Sequence, residues 1–349
     1  MYVKRSSSRD GFTIVEILVV ISVIAILLGV MLVGLQGASR TSKNLRSMNR
    51  GRQVFIAWTA YSNTYADKLL PGYLSEGVQD KWRVTYPSPS QQGTLQTENT
   101  QTYPWRLMPY LDNALDPMYG YREDVDELKN DYANENNATQ HAAALNVISA
   151  TPEFGYNAYY VGGWWKMSGT RAHLIFGDTP VTTDSGGQVK GRLVATNLGS
   201  IRQPERTITF CTSTFRETGV YVKNEKDPDG AAWVVPPRLC ETEIWNSFSA
   251  NRLNIQASRW RPGVLASTAP LPQGSAGEGI EVFSPEAIPI RRHGVTVPSV
   301  SADGSTGQLG IPDLLDFSRW TSATTVSSAP TEEFSHPCDP VMNEEEPSP

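Results

Sequence analysis

Cysteine is scarce in this chain. Cys211, Cys240 and Cys338 are the only three in 349 residues, too few for a fold held by a disulfide framework. Spacings of 28 and 97 intervening residues also lack the clustering of a zinc site. Cys211 and Cys240 can pair if their domain lies outside the cytoplasm, or all three can stay independent thiols. The sequence leaves both readings open. Positive charge is in short supply too. Thirty Lys and Arg face 36 Asp and Glu, for a net charge of −6. Lys4, Arg5, Arg9 and Asp10 give the first 11 residues +2, so the remainder carries −8. An acidic body excludes a sequence-independent nucleic-acid binder, which needs basic surface to displace counterions. Phosphate-binding loops, dinucleotide fingerprints, HExxH and CxxC are all absent, and no internal repeat is present.

What the chain does have is concentrated at its start. From Ile17 to Leu35 there are nineteen residues without charge or proline, with Ser22 the only clearly polar side chain. As a helix this run spans roughly 28 Å, close to the thickness of a bilayer's hydrocarbon core. A cleaved secretory signal has a shorter apolar region, about 7–15 residues. A plain N-terminal anchor fits the length but leaves Glu16, at the near end of the run, without a purpose. The positive-inside rule does not orient the segment. Lys4, Arg5 and Arg9 flank one end, and Arg40, Lys43, Arg46, Arg50 and Arg52 crowd the other.

The stretch Gly11-Phe12-Thr13-Ile14-Val15-Glu16, followed at once by the apolar run, resembles the prepilin signal of type IV pilins and type II secretion pseudopilins. That resemblance implies cleavage between Gly11 and Phe12 by a prepilin peptidase, N-methylation of Phe12, and Glu16 as the fifth mature residue. It implies that Glu16 meets the new α-amino group of a neighbouring subunit, which offsets the cost of a carboxylate near hydrocarbon. Ser22, Ala25 and Gly29, at i, i+3 and i+7, form a small-residue stripe for close helix packing. Many pilins carry proline at the position of Val33. Here a distortion would have to arise at Gly29, Gly34 or Gly37.

Beyond Leu35 the helical pattern continues. Leu45, Met48, Phe55 and Thr59 mark one stripe, and Val54, Trp58, Tyr61 and Tyr65 extend it. With no proline before Pro71, one helix is expected from about Phe12 to Ala66. Residues 75–103 and 129–140 read as loop, with helix returning around His141–Ile148. The segment 154–167 holds six aromatics around Gly162–Gly163 and reads as a hairpin pair in a sheet core, or alternatively as a sugar-binding surface. Residues 206–215, 219–224 and 231–237 alternate like antiparallel strands. The acidic, proline-rich end reads as disordered.

A second signature lies at 291–309. His293 is followed after nine residues by Asp303–Gly304. This spacing resembles the prepilin-type processing-associated H-X9-DG family. Physically, Val295–Ser301 reads as a strand and Asp303–Gly304 as a turn needing positive φ. His293 and Asp303 could then fix strand register by a hydrogen bond or ligate a metal. Pro298 points to an edge strand or a bulge. Asp227 and Asp229 open like a calcium loop but lack its later ligands. Residues 183–188 resemble the nucleophile stretch of trypsin-like proteases. Thr183 replaces its first glycine, however, and neither His141 nor His173 has the family context, so a surface turn is the better reading.

These observations give an α+β, type IV pilin-like expectation, a long N-terminal helix packed on an antiparallel sheet. The divisions are a leader at 1–11, a transmembrane half-helix at 12–36, an extracytoplasmic half-helix at 37–66, a globular domain at 67–325 and an acidic tail at 326–349. The resemblance implies a non-enzymatic pseudopilin-like subunit. It would be single-pass in the inner membrane, with its N-terminus cytoplasmic and its domain extracytoplasmic. Its partners would be prepilin peptidase, other pilin-like subunits and secretion or pilus assembly machinery, with no cofactor unless calcium. The alternative is a membrane-tethered binding protein using the same signal as an anchor.

Overall fold

The computed structural model describes residues 14–82, 85–86, 93–94, 100–174, 178–182, 188–192, 194–214, 230–236, 238–239, 242–243, 288–289 and 296–321. With no proline to interrupt it, α1 runs unbroken over Ile14–Thr64. It stops where Ala66 and Asp67 both enter the left-handed region, at φ 52° and 64°. There the Asp67 N–H donates back to the Ser62 carbonyl at 2.9 Å.

The domain follows in chain order. Strand β1 (Tyr73–Leu74) leads to α2 (Glu76–Trp82) and the small hairpin β2 (Thr85–Tyr86) and β3 (Gly93–Thr94). Short helices α3 (Pro104–Leu107), α4 (Asp116–Tyr119), α5 (Val125–Ala133) and α6 (Ala138–Ala150) come next. The strands continue as β4 (Phe154–Tyr156), β5 (Trp164–Ser168), β6 (Arg171–Leu174), β7 (Asp178–Thr182), β8 (Gln188–Arg192) and β9 (Ile208–Thr214). They end with β10 (Arg238–Leu239), β11 (Thr242–Glu243), β12 (Ile288–Pro289), β13 (Val297–Ser301) and β14 (Thr306–Leu309), before α7 (Ile311–Leu315).

The main sheet is antiparallel and built around β9. Cys211 of β9 pairs with Ser299 of β13 and with Gly155 of β4, so β13 and β4 flank β9 on opposite sides. Beyond β13 lies β14, and β12 pairs with the end of β9 at Ser213 and Thr214. A second sheet, β1-β5-β6, joins β1 to β5 in parallel and β5 to β6 antiparallel. Helix α1 crosses the main sheet at very close range. A Cβ built on Gly51 would lie 2.9 Å from Val300 Cγ2 and 3.0 Å from Phe154 Cζ. The fold is therefore α+β, with a long N-terminal helix followed by an antiparallel-sheet domain.

Several local expectations change. The face of α1 that meets the domain is Asn44, Ser47, Gly51, Val54, Ala57, Trp58, Tyr61 and Ser62, all buried, while Leu45 is 59% exposed. The expected stripe through Val54, Trp58 and Tyr61 is buried against the domain, with Phe55 and Tyr65 packed beside it. Leu45 alone of that stripe points away. Nearer the membrane half the contact passes to Asn44, Ser47 and Gly51, small or polar residues that allow close approach to the sheet. The aromatic segment 154–167 is not one hairpin. Its first strand, β4, pairs with β9, and its second, β5, belongs to the other sheet. Between them Gly162 and Gly163 take φ 74° and 81°, and a Cβ on Gly162 would overlap the Leu70 carbonyl. Residues 231–236 hold no strand, only a bridge from Trp233 to Tyr156. The 75–103 segment contains α2 and a hairpin. The 129–140 segment is taken up largely by the end of α5 and the start of α6, whose cap Asn137 accepts from the Gln140 N–H. Pro298 sits in an interior strand, opposite Gln308 of β14. Pairing to β9 begins one residue later, at Ser299, and the register shifts between Val300 and Ser301.

Candidate functional site

The chemistry of this chain is carried by α1, which divides into two unlike halves. Through the first half the large apolar side chains point outward, from Ile24 at 48% exposed to Ile14 at 84%. A helix apolar on every side and open on every side is built for a non-aqueous neighbour. By length and composition it can cross a membrane. Its one hydroxyl is satisfied internally, because Ser22 Oγ donates to the Val19 carbonyl at 2.8 Å. Ser22, Ala25 and Gly29 are all exposed, and a Cβ at Gly29 would meet nothing within 4 Å. Helix continues through Gly29, Gly34 and Gly37. Glu16 occupies the first turn, where the helix dipole favours a carboxylate. Gly11 and Phe12 lie outside the described residues.

The second half is fixed to the domain by polar bonds. Arg50 Nε donates to Glu153 Oε2 at 2.6 Å and Arg50 Nη2 to Oε1 at 3.0 Å. Ser47 Oγ donates to the same Oε1 at 2.6 Å. The Glu153 side chain is wholly buried and that of Arg50 is 15% exposed. Ser47 and Arg50, three residues apart, reach one carboxylate because that spacing shares a helix face. Two turns on, Trp58 Nε1 donates to Tyr156 Oη at 3.1 Å, and Tyr156 Oη donates to the Leu70 carbonyl at 2.9 Å. Burial pushes the Tyr156 phenol far above its ordinary pKa. Near the far end, Arg106 is buried and donates to the carbonyls of Thr100 and Pro71 at 2.9 and 3.0 Å. Burial lowers its pKa to about 10. Sequence reasoning missed Glu153 and Arg106. The signal available was a lone carboxylate at the head of an aromatic strand, Glu153-Phe154-Gly155-Tyr156.

The Asp303–Gly304 pair forms the turn between β13 and β14. Gly304 takes φ 85°, and Asp303 Oδ1 accepts from the Ser305 N–H at 2.8 Å. The turn presses on α1, where a Cβ at Gly304 would stand 2.5 Å from Phe55 Cε1. His293 lies outside the described residues, as do Asp227, Asp229 and Cys240. Cys211 has no disulfide partner among the described residues and is fully buried, which pushes its thiol pKa up. Among the described residues no group of three or more His, Cys, Asp or Glu could hold a metal. Phe154, Tyr156, Tyr159, Tyr160, Trp164 and Trp165 are all at most 1% exposed, so these six form core and offer no open sugar-stacking face.

Residues 6–32 match the family model of the prokaryotic N-terminal methylation motif. No curated protein and no solved structure matches the chain. The match takes in Gly11, Phe12, Glu16 and most of the exposed apolar half of α1. The chain thus carries a prepilin-type methylation motif leading into a helix suited to membrane anchoring, with an α+β domain behind it.

Proposed function

We propose that this protein is a pseudopilin-like structural subunit of a type II secretion or type IV pilus-like assembly, without catalysis of its own. The observation that carries the proposal is the continuity of one helix. The methylation motif runs into an apolar segment exposed on all sides, and the same helix is then clamped to the domain through Arg50 and Glu153. Any pull on the helix is therefore passed to the domain.

In this reading the precursor inserts with its N-terminus in the cytoplasm and its domain outside, and prepilin peptidase cuts after Gly11. Phe12 becomes the methylated N-terminus, a cation that a neighbouring subunit's Glu16 attracts in the low dielectric of a helix bundle. Partner subunits and the assembly machinery then draw it from the membrane. The spacing of His293 and Asp303–Gly304 supports a resemblance to the H-X9-DG group of prepilin-processed proteins, and Gly304 supports the hairpin that braces Phe55.

Mass spectrometry of the mature N-terminus, on protein taken from its native membrane, tests this. Methyl-Phe12 is the expected species. An intact Met1, or a cut near Ala38, would overturn the mechanism.

A further inference from the structure

Between Glu16 and Asp67 the chain has no acidic residue, yet it carries Arg40, Lys43, Arg46, Arg50 and Arg52. This is a concentration of positive charge in a protein whose net charge is −6. The structure separates these cations by role. Arg50 is consumed by the buried Glu153. Arg40, Lys43, Arg46 and Arg52 are exposed, and none of them has an ion-pair partner among the described residues.

Their depth is set by the helix. At about 1.5 Å per residue, Arg40, Lys43 and Arg46 stand roughly 7, 12 and 16 Å beyond Leu35, the last apolar residue of the run. Side chains on a helix lean toward its N-terminus, here toward the apolar half, and these three are long enough to reach back several ångströms. Their charged ends therefore fall within or just outside a headgroup layer about 5–8 Å thick. Arg52, roughly 25 Å beyond Leu35, is out of reach. The domain begins at the same level, since Asn44 is the first buried residue of α1 among the described side chains.

We infer that Arg40, Lys43 and Arg46 form a collar that binds anionic phospholipid headgroups of the leaflet on the domain side. The occupant is chosen by charge complementarity and by continuity with the apolar run, which places phosphodiesters beside these cations. The inference rests on the reading of α1 as membrane-spanning, and it gives processing a second consequence. Cleavage after Gly11 removes Lys4, Arg5 and Arg9, leaving every Lys and Arg that flanks the apolar run on the domain side. The mature subunit is then held by the outer headgroups, with no basic side chain on the cytoplasmic side to resist outward movement.

The full chain is reconstituted into lipid nanodiscs of phosphatidylcholine, alone or mixed with phosphatidylglycerol, and the lipids retained on release into mild detergent are counted by native mass spectrometry. Wild type is expected to enrich phosphatidylglycerol by about fivefold per engaged cation. Arg40→Gln/Lys43→Gln/Arg46→Gln should lose that enrichment and Arg52→Gln should keep it. All four positions are exposed, and glutamine is a good helix former, so folding is preserved. Integration without anionic preference, or equal retention by the triple variant, overturns this inference alone. Failure to integrate into either bilayer overturns the spanning reading and the collar with it.

Discussion

Arg50 of the long helix and Glu153 of the sheet domain form a two-pronged ion pair, at 2.6 and 3.0 Å, with the carboxylate wholly buried. The pair lies near the point where the helix leaves the domain, and it converts a simple packing contact into a registered one. A slide of one residue would separate the guanidinium and the Ser47 hydroxyl from the same carboxylate. Apolar packing alone, as around Val54 and Ala57, sets no such register.

The first prediction follows from that burial. Removing one partner strands the other in a low-dielectric interior, so Glu153→Ala or Arg50→Ala should each cost about 3–5 kcal/mol. Ser47→Ala removes one bond to a charged acceptor and should cost about 1.5–3 kcal/mol. Replacing both ions together, Arg50→Met with Glu153→Leu, should recover much of the loss, because neither charge is left buried alone. Denaturant unfolding of the full chain in micelles measures all four. Single variants within about 0.5 kcal/mol of wild type would show that the pair does not hold the helix.

Gly304 supports a second prediction. Its φ of 85° disfavours any side chain, and Phe55 of the helix stands in the space a Cβ would take. Gly304→Ala should therefore cost about 1–3 kcal/mol from backbone strain alone, and more from the clash. Shortening the ring with Phe55→Leu in the same chain should return the clash component and leave the strain. Additive losses in the double variant would mean that the turn and the helix are energetically independent.

How legible this was depends on what each residue signals. The apolar run, Glu16 and the glycine before Phe12 are local patterns, readable because a membrane-suited helix and an N-terminal methylation motif are both written in contiguous sequence. The helix length was readable from the absence of proline before Pro71. The docking face was legible at Val54, Trp58 and Tyr61, which lie on the apolar stripe. It was not legible at Asn44, Ser47 and Gly51, whose small or polar side chains serve close approach to the sheet, which a hydropathy stripe cannot report. Glu153 and Arg50 are 103 positions apart, and no periodicity links them. The aromatic segment misled for a related reason. Two strands in sequence with glycines between them fit a hairpin, but Gly162 and Gly163 instead turn the chain into a different sheet.

Cys211 gives a third prediction. It is a buried thiol on β9, and burial raises its pKa, so the thiolate that attacks alkylating reagents is suppressed. Iodoacetamide added to the native full chain should leave Cys211 unmodified. After denaturation without any reductant, the same residue should be fully alkylated when its peptide is read by mass spectrometry. A peptide that alkylates only after reduction would reveal a disulfide, with Cys240 the partner to look for.

The last prediction concerns alkaline pH. Tyr61, Tyr103, Tyr119, Tyr156 and Tyr159 are buried, and burial raises each phenol above its ordinary pKa near 10. Tyr103, Tyr119 and Tyr156 also donate to the carbonyls of Phe154, Ile148 and Leu70, bonds that ionisation would abolish. A folded pKa raised above the unfolded one gives stability that is complete below pH 10 and lost as pH rises beyond it. Arg106 acts in the opposite sense. Burial lowers its pKa from 12.5 to about 10, so the unfolded chain holds that proton longer and the cost of the buried charge is relieved across this window. Five phenols outweigh one guanidinium. Stability should therefore fall as pH rises above 10. Tyrosinate absorbance and circular dichroism, followed together, decide the point. The buried phenols should ionise in one cooperative step that coincides with loss of the fold, and gradual ionisation of all fourteen tyrosines with the fold intact would show that this core does not protect them.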